Sequence, residues 1–354
     1  MVGGTNSIEV GRPMIEIDGR KIGQNERPYI IAEVGINARN DVTLAKRFIE
    51  VAANSGADAV KFQTHLADAE MVESEMRSVG AGEVYDTVAD CEWSIEEHRE
   101  LQSHAETHNI TFLSTPFSTE AVDLLNEIDV PAIKIGSGEL TNRHLIERAA
   151  STGKPLLIST GMNSLDEIEA ACDYIDDVVD EYVLFYCVSE YPTTAEDFDF
   201  ETISILEERF NVPVGFSDHS TGVEAAKVAI GNSAALIEKH FTIDRRLPGP
   251  DQEVSIEPEE LENICSFSDL YHRTSSRREG LHTEESEIKK WAQHSVVTSR
   301  PIESGEQLTK DNTTTKRPSN GISADQYFEL LGTEVNRSIS ENTCLTESDL
   351  NGST

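Results

Sequence analysis

The sequence predicts an α/β chain whose larger part is a closed parallel (β/α)8 TIM barrel, entered through a β-hairpin and followed by a small C-terminal domain. Three observations carry this reading. Eight short runs rich in Val, Ile and Leu recur along the chain, segments with helical periodicity such as LAKRFIEVAANSG (44–56) separate them, and no GxGxxG turn follows any of them. Eight βα units in roughly 250 residues match a closed barrel. An open doubly wound sheet usually has fewer strands and a glycine-rich phosphate turn.

Taken in order, IEIDGRKIG (15–23) alternates apolar and polar residues about Asp18-Gly19, the dipeptide that a two-residue hairpin turn favours. The eight runs follow: YIIAEVGIN (29–37), AVKFQT (59–64), TFLSTPF (111–117), AIKIGS (132–137), PLLIST (155–160), VLFYCVS (183–189), VPVGFSD (212–218) and ALIEKHF (235–241). The barrel with its hairpin is placed at 1–273. From 274 the texture turns polar and charged (TSSRREGLHTEESEIKK), which reads as a linker over 274–293. The last segment, 294–354, holds a weak repeat in which RPIESGEQLT (300–309) and RSISENTCLT (337–346) align at an offset of 37. A domain of about 60 residues has a marginal core unless it docks on something larger.

Composition narrows the partners. Lys and Arg number 29 against 65 Asp and Glu, a formal charge of -36, which repels phosphate backbones and anionic lipid alike. No nucleic acid and no membrane partner is expected. Acids such as Asp166, Glu167, Glu169, Asp173, Asp176, Asp177 and Asp180 are spread over helix-like segments instead of forming a tail. They imply a hydrated surface adapted to salt, whose screening over less than about 8 Å relieves self-repulsion. The five cysteines (Cys91, Cys172, Cys187, Cys265, Cys344) lack CxxC spacing and suit reduced thiols. No basic-then-apolar leader and no run of 18 apolar residues occurs, so a cytoplasmic location is expected.

Side chains at the carboxyl ends of barrel strands converge on one mouth. Polar residues there are Glu33, Lys61 with Gln63, Thr115, Lys134 with Ser137 and Glu139, Ser159, Ser189 with Tyr191, His219 and His240. Lys61 and Lys134 stand among apolar residues, so each ammonium needs a counter-charge. A structural pair with Glu33 or Glu139 would supply one. A phosphate would supply another, and the hydroxyls of Thr115, Ser137 and Ser159 suit its many acceptor sites. His219 and His240 end consecutive strands, spaced about 4.8 Å in a sheet. Both imidazoles could reach one divalent ion such as manganese, although spacing leaves zinc, cobalt and iron open, and hydrogen-bonded core histidines are the alternative.

At these residues the sequence resembles the sialic acid synthase family, the N-acetylneuraminate synthases and their legionaminic and pseudaminic acid relatives. The resemblance runs through IAEVGIN, GADAVKFQT, FLSTPFS, PAIKIGSGE, KPLLISTGM, YPTT, GFSDHS, EKHFT, PGPDQEVS and KRPSNG. It implies a C-terminal antifreeze-like (SAF) domain and a homodimer in which that domain reaches the partner's barrel. It also implies that Lys61, Thr115, Lys134, Ser137 and Ser159 bind phosphoenolpyruvate, and that His219 and His240 hold the metal, Mn2+ by preference. Gln63, Glu139, Ser189, Tyr191, Asp251 and Arg317 would surround an N-acetylated amino sugar, with Glu33, Lys61, Lys134 and Glu139 acting near the reacting carbons. The implied reaction joins phosphoenolpyruvate to N-acetylmannosamine, giving N-acetylneuraminic acid and phosphate.

The pattern departs from the family at Ala38 to Asp41, at Ser189 and in PSNG (318–321), which bears on the sugar and not on the reaction. A diacetamido-trideoxy acceptor is therefore a rival. So is a Schiff-base aldolase using Lys134, and so is a non-catalytic carbohydrate- or ice-binding protein, although the full set of rim residues argues against that.

Overall fold

Asp18 and Gly19 both take positive φ, 51° and 76°, the left-handed pair that lets two residues reverse the chain. They join β1 (Ile15–Ile17) to β2 (Arg20–Ile22) in an antiparallel pair. The computed structural model describes residues 14–275 and 280–351. The leader ahead of the hairpin and part of the 274–293 stretch lie outside the described residues.

Eight parallel strands follow: β3 (Tyr29–Gly35), β4 (Ala59–Thr64), β5 (Thr111–Pro116), β6 (Ile133–Ile135), β7 (Leu156–Ser159), β8 (Tyr182–Cys187), β9 (Val214–Asp218) and β10 (Leu236–His240). The first of them pairs with the last, Glu33 opposite His240, and β5 faces β6 across the remaining seam. Each strand coincides with one of the eight apolar runs. Strands buried on both faces read as continuous apolar stretches, which is why they are so visible.

Strand alternation then decides what points where. Tyr29, Ile31, Ala59, Leu113, Leu157, Val183, Phe185 and Leu236 form one inner cluster together with Ile15, Ile17 and Ile22 of the hairpin. The hairpin thus plugs the amino end of the barrel. Residues of the other parity, among them Ile30, Val60, Phe112, Ile158, Leu184 and Phe216, pack outward with the helices. The inner layer is tight enough that a Cβ on Gly215 would lie 2.8 Å from the Phe185 ring, so only glycine fits there.

Behind the mouth, Lys239 and Asp218 pair on the outward parity, fully buried, Nζ to Oδ2 at 3.1 Å. Lys239 also donates to the Ser220 carbonyl, and Asp218 Oδ1 accepts from the Ser220 amide at 2.8 Å. This pair holds the loop after β9 that carries His219.

The chain divides into two compact units between Ser275 and Ser276. In the second, a helix occupies Thr283–Ala292, inside the stretch whose polar composition reads as linker; none of its residues is buried. β11 (Ser295–Thr298) pairs antiparallel with β12 (Thr313–Lys316). The sequence repeat has a structural meaning here. Ile302 and Ile339, equivalent positions 37 apart, exchange backbone hydrogen bonds at 2.9 and 2.8 Å. With the equivalent pair Leu308 and Leu345 they belong to the same small core.

Asp166, Glu167, Asp173, Asp176, Asp177 and Asp180 are all exposed on or beside one helix, Leu165–Val178. Thermal stability should therefore fall as salt is reduced from molar to millimolar, because repulsion between these acids then acts unscreened. An unchanged melting temperature across that range would contradict the reading of the surface.

Candidate active site at the barrel mouth

Beyond its apolar layer, each inward row turns polar toward the carboxyl ends: Ile31 gives way to Glu33, Ala59 to Lys61 and Gln63, Leu113 to Thr115, Leu157 to Ser159, and Leu236 to Glu238 and His240. These side chains line a cavity of about 270 Å³, together with Lys134, Ser137, Ser189, Tyr191, Ser217 and His219. A larger groove, about 430 Å³, lies on the hairpin side of the barrel around Asp18, Glu106 and Asp129. Its lining holds no Lys, Arg or His, in contrast to the mouth.

Lys61 and Lys134 are 2% and 3% exposed, and both ammonium groups meet carboxylates. Lys61 Nζ lies 2.7 Å from Glu33 Oε2 and donates to Thr115 Oγ1 at 2.8 Å. Lys134 Nζ donates to Ser159 Oγ and sits 5.1 Å from the centre of the Phe185 ring. Between the two lies Glu238, with oxygens 3.7 Å from Lys61 and 3.9 Å from Lys134. Both sequence readings of the lysines thus meet in one place: Lys61 has its structural partner, and hydroxyls stand ready around both ammoniums.

Four buried charges so close cannot keep ordinary affinities for protons. Burial, reinforced by the neighbouring Glu238, pushes Glu33 up to about 7 against the pull of Lys61. Burial also lowers Lys134. Glu238 is held low because two ammoniums face it, a pull that exceeds its own burial cost. Gln63 Nε2 steadies Glu33 Oε1 at 3.1 Å, and Gln63 Oε1 meets His65, whose ring stacks on Phe117 at 4.4 Å.

Opposite the lysines, His219 and His240 stand with ring centres 5.7 Å apart. His219 Nδ1 donates to the Val188 carbonyl at 2.6 Å, so Nε2 keeps its lone pair and accepts from the Tyr191 hydroxyl at 3.0 Å. Tyr191 is 55% exposed and has room to swing off that lone pair. His240 Nδ1 is buried without a hydrogen-bond partner, 3.7 Å from Asp251 Oδ2. Burial holds both imidazoles neutral, the form in which they ligate metals. An imidazole oriented by its carbonyl bond on His219 and an orphaned nitrogen on the neighbouring His240 fit a divalent ion whose remaining positions go to substrate or water.

Three expected site residues stand apart. Asp251 lies beside the cavity, tied through its backbone to Asn37, and burial pushes its carboxyl up to about 6. Glu139 ends the short 3-10 helix Ser137–Glu139, accepts from Asn142 at 2.6 Å, and does not line the cavity, because that turn carries it past the rim. Arg317 belongs to the second unit, with its guanidinium 5.8 Å from the Trp291 ring. Glu238 and Ser217 are the residues that sequence reasoning missed. Parity held the signal, since Glu238 shares the inward row of His240.

Glu238→Gln should leave two buried ammoniums with one carboxylate and destabilise the barrel by about 3–5 kcal/mol, the usual cost of breaking a buried pair. Inorganic phosphate should then raise the variant's melting temperature more than the wild type's, by replacing the lost charge. Equal shifts in both proteins would show that Glu238 does not balance the lysines.

The barrel and the small unit each have known counterparts. A model of the NeuB family matches residues 48–277, and one of the SAF domain matches residues 293–351. The N,N'-diacetyllegionaminic acid synthase of Campylobacter jejuni is 36% identical over 91% of this chain and 100% of its own. Human N-acetylneuraminate-9-phosphate synthase is 32% identical over 93% of this chain and 94% of its own. The crystal structure of N-acetylneuraminic acid synthetase from Leptospira borgpetersenii, in complex with citrate, superposes with a TM-score of 0.72 at 34% identity, covering 78% of this chain and 95% of that one. With a NeuB model matching the barrel, a SAF domain following it in the chain and relatives above 30% identity over almost its whole length, this chain belongs to the NeuB family of sugar acid synthases.

Proposed function

We propose that the barrel condenses phosphoenolpyruvate with the open-chain form of an N-acetylated amino sugar, giving a nonulosonic acid and inorganic phosphate. The observation that carries this is the pair Lys61 and Lys134, buried in one cavity with Thr115 and Ser159 hydroxyls on their ammoniums and two neutral imidazoles opposite. An anionic reactant fits the first group. An electrophilic carbonyl fits near the second.

In this reading Lys61, Lys134, Thr115, Ser137 and Ser159 hold the phosphate and carboxylate of phosphoenolpyruvate, leaving its methylene carbon toward the histidines. When bound at His219 and His240, a divalent ion, with Mn2+ as the first candidate, supplies Lewis acidity toward the sugar aldehyde oxygen. The methylene carbon attacks the aldehyde carbon, protonated Glu33 gives its proton to the new alkoxide, and the former enol carbon becomes cationic. Water adds there, and Glu33 accepts its proton, a task suited to a carboxyl lifted to about 7. Phosphate leaves as the carbon–oxygen bond breaks and the ketone forms. The lysines stabilise charge that develops along this path and form no bond to carbon.

N-acetylmannosamine is the first acceptor to try. A diacetamido-trideoxy sugar is the second, favoured by the higher identity to the legionaminic acid synthase than to the human enzyme. Gln63, Ser189, Tyr191 and Asp251 are proposed to meet the sugar, with Glu139 nearer the rim. Arg317 is proposed to complete this site from the partner subunit of a homodimer.

One assay tests the whole reading. Phosphate release from phosphoenolpyruvate should require an N-acetylated sugar and should stop on chelation. Lys134→Ala should reduce it by at least about a hundredfold, as loss of a preorganised electrostatic contact does. Mixed under subunit exchange, inactive Arg317→Ala and Lys134→Ala should regain activity in heterodimers. Release that needs no sugar, or a borohydride-trapped imine with pyruvate on Lys134, would overturn the condensation. Verified heterodimers that stay inactive would remove Arg317 from the partner's site.

A further inference from the structure

Away from the mouth, on the outer wall of the barrel, a second pair of histidines meets a carboxylate. His104 lies in the last turn of the helix Ile95–Thr107, and His108 is its C-cap, one turn further on. Their rings are 4.5 Å apart. Glu50, on the neighbouring helix Val42–Asn54, brings Oε1 to 3.3 Å from His104 Nε2. One ligand atom from each of the three residues lies within 4.8 Å of the others, and they form the one such group of three found among the described residues.

The hydrogen bonds leave a nitrogen on each ring able to ligate. His108 Nδ1 faces the His104 carbonyl at 2.9 Å, and a carbonyl can only accept, so Nδ1 carries the proton and Nε2 keeps its lone pair. His104 Nε2 is shut off from solvent and makes no well-aligned hydrogen bond, with Glu50 Oε1 3.3 Å away. Glu50 turns its other oxygen to Arg47 Nη1 at 2.8 Å, which leaves Oε1 free for a cation. All three groups are half-buried, so the carboxylate is ionised and an ion can enter. The carbonyl end of the helix carries partial negative charge and favours a cation at that spot.

We infer that Glu50, His104 and His108 form a second metal site, for a borderline divalent transition ion of the zinc, nickel, cobalt or copper type. Two imidazoles and one carboxylate suit such an ion, whereas magnesium and calcium prefer an all-oxygen set. The site is a clip: it ties the helix after β3 to the helix before β5, and its work is to hold the barrel wall. It touches none of the residues assigned to the reaction.

The test uses Zn2+ as probe on the full-length protein. Wild type and His104→Gln/His108→Gln are stripped of metal, dialysed against Zn2+, and analysed for zinc per chain. The wild type should hold one ion more than the double variant, and zinc should raise the melting temperature of the wild type more. Glu50→Gln should bind the extra ion more weakly, and all three proteins should condense substrates at the same rate, which also certifies their folds. Equal zinc content in wild type and double variant, or equal thermal shifts, would overturn the site.

Discussion

The structure is organised around two ammonium groups sealed inside a barrel. Moving an ammonium from water into protein costs several kcal/mol even after relaxation, and the cost is recovered only by well-placed opposite charge and hydrogen bonds. Lys61 and Lys134 meet that condition with Glu33, Glu238, Thr115 and Ser159. Neither lysine could be kept charged on a wall open to apolar packing alone. The hairpin's plug at the amino end, the tight inner layer at Gly215 and Phe185, and the buried Lys239–Asp218 pair that anchors the loop of His219 all keep this arrangement fixed.

The cluster also sets a condition on the proposed binding of an anion. With Glu33 and Glu238 ionised, the two lysines are already balanced, and a bound phosphate would bring excess negative charge into a medium that tolerates little of it. Something must yield. Glu238 is held low by two ammoniums, whereas Glu33 is already lifted to about 7 and faces one. On the proposed path Glu33 is therefore the group to take up a proton when phosphate enters, to pass it to the new alkoxide, and only then to accept one from water, so its affinity must lie near neutrality for these tasks.

Much of this was legible in the residues. Buried parallel strands announce themselves as apolar runs, and Asp18-Gly19 reports a turn that few other dipeptides can make. The rim residues could be found because charge inside an apolar run is costly and so needs a reason. Glu238 escaped because it stands inside the run, between Ile237 and Lys239, and only its shared parity with His240 marked it as facing the mouth. Glu139 is expected in the site as a polar residue after its strand and from the family resemblance, yet one 3-10 turn carries it past the cavity lining. The helix Thr283–Ala292 was hidden by its surface: no residue of it is buried, so no apolar stripe marked it. The repeat 37 residues apart was weak in letters but clear in space, where Ile302 and Ile339 bond to one another.

The central claim is that phosphoenolpyruvate enters as an anion matched by buried lysines, with Glu33 giving way. Calorimetric titration of the protein with phosphoenolpyruvate, at about pH 8 in buffers of differing ionisation enthalpy, measures this directly through the protons taken up. The account predicts uptake approaching about one proton per site, smaller in Glu33→Gln, and affinity that falls as pH rises through about 7, since protonated Glu33 is the form that accommodates the phosphate. A binding enthalpy indifferent to the buffer, with affinity flat across that range, would contradict it.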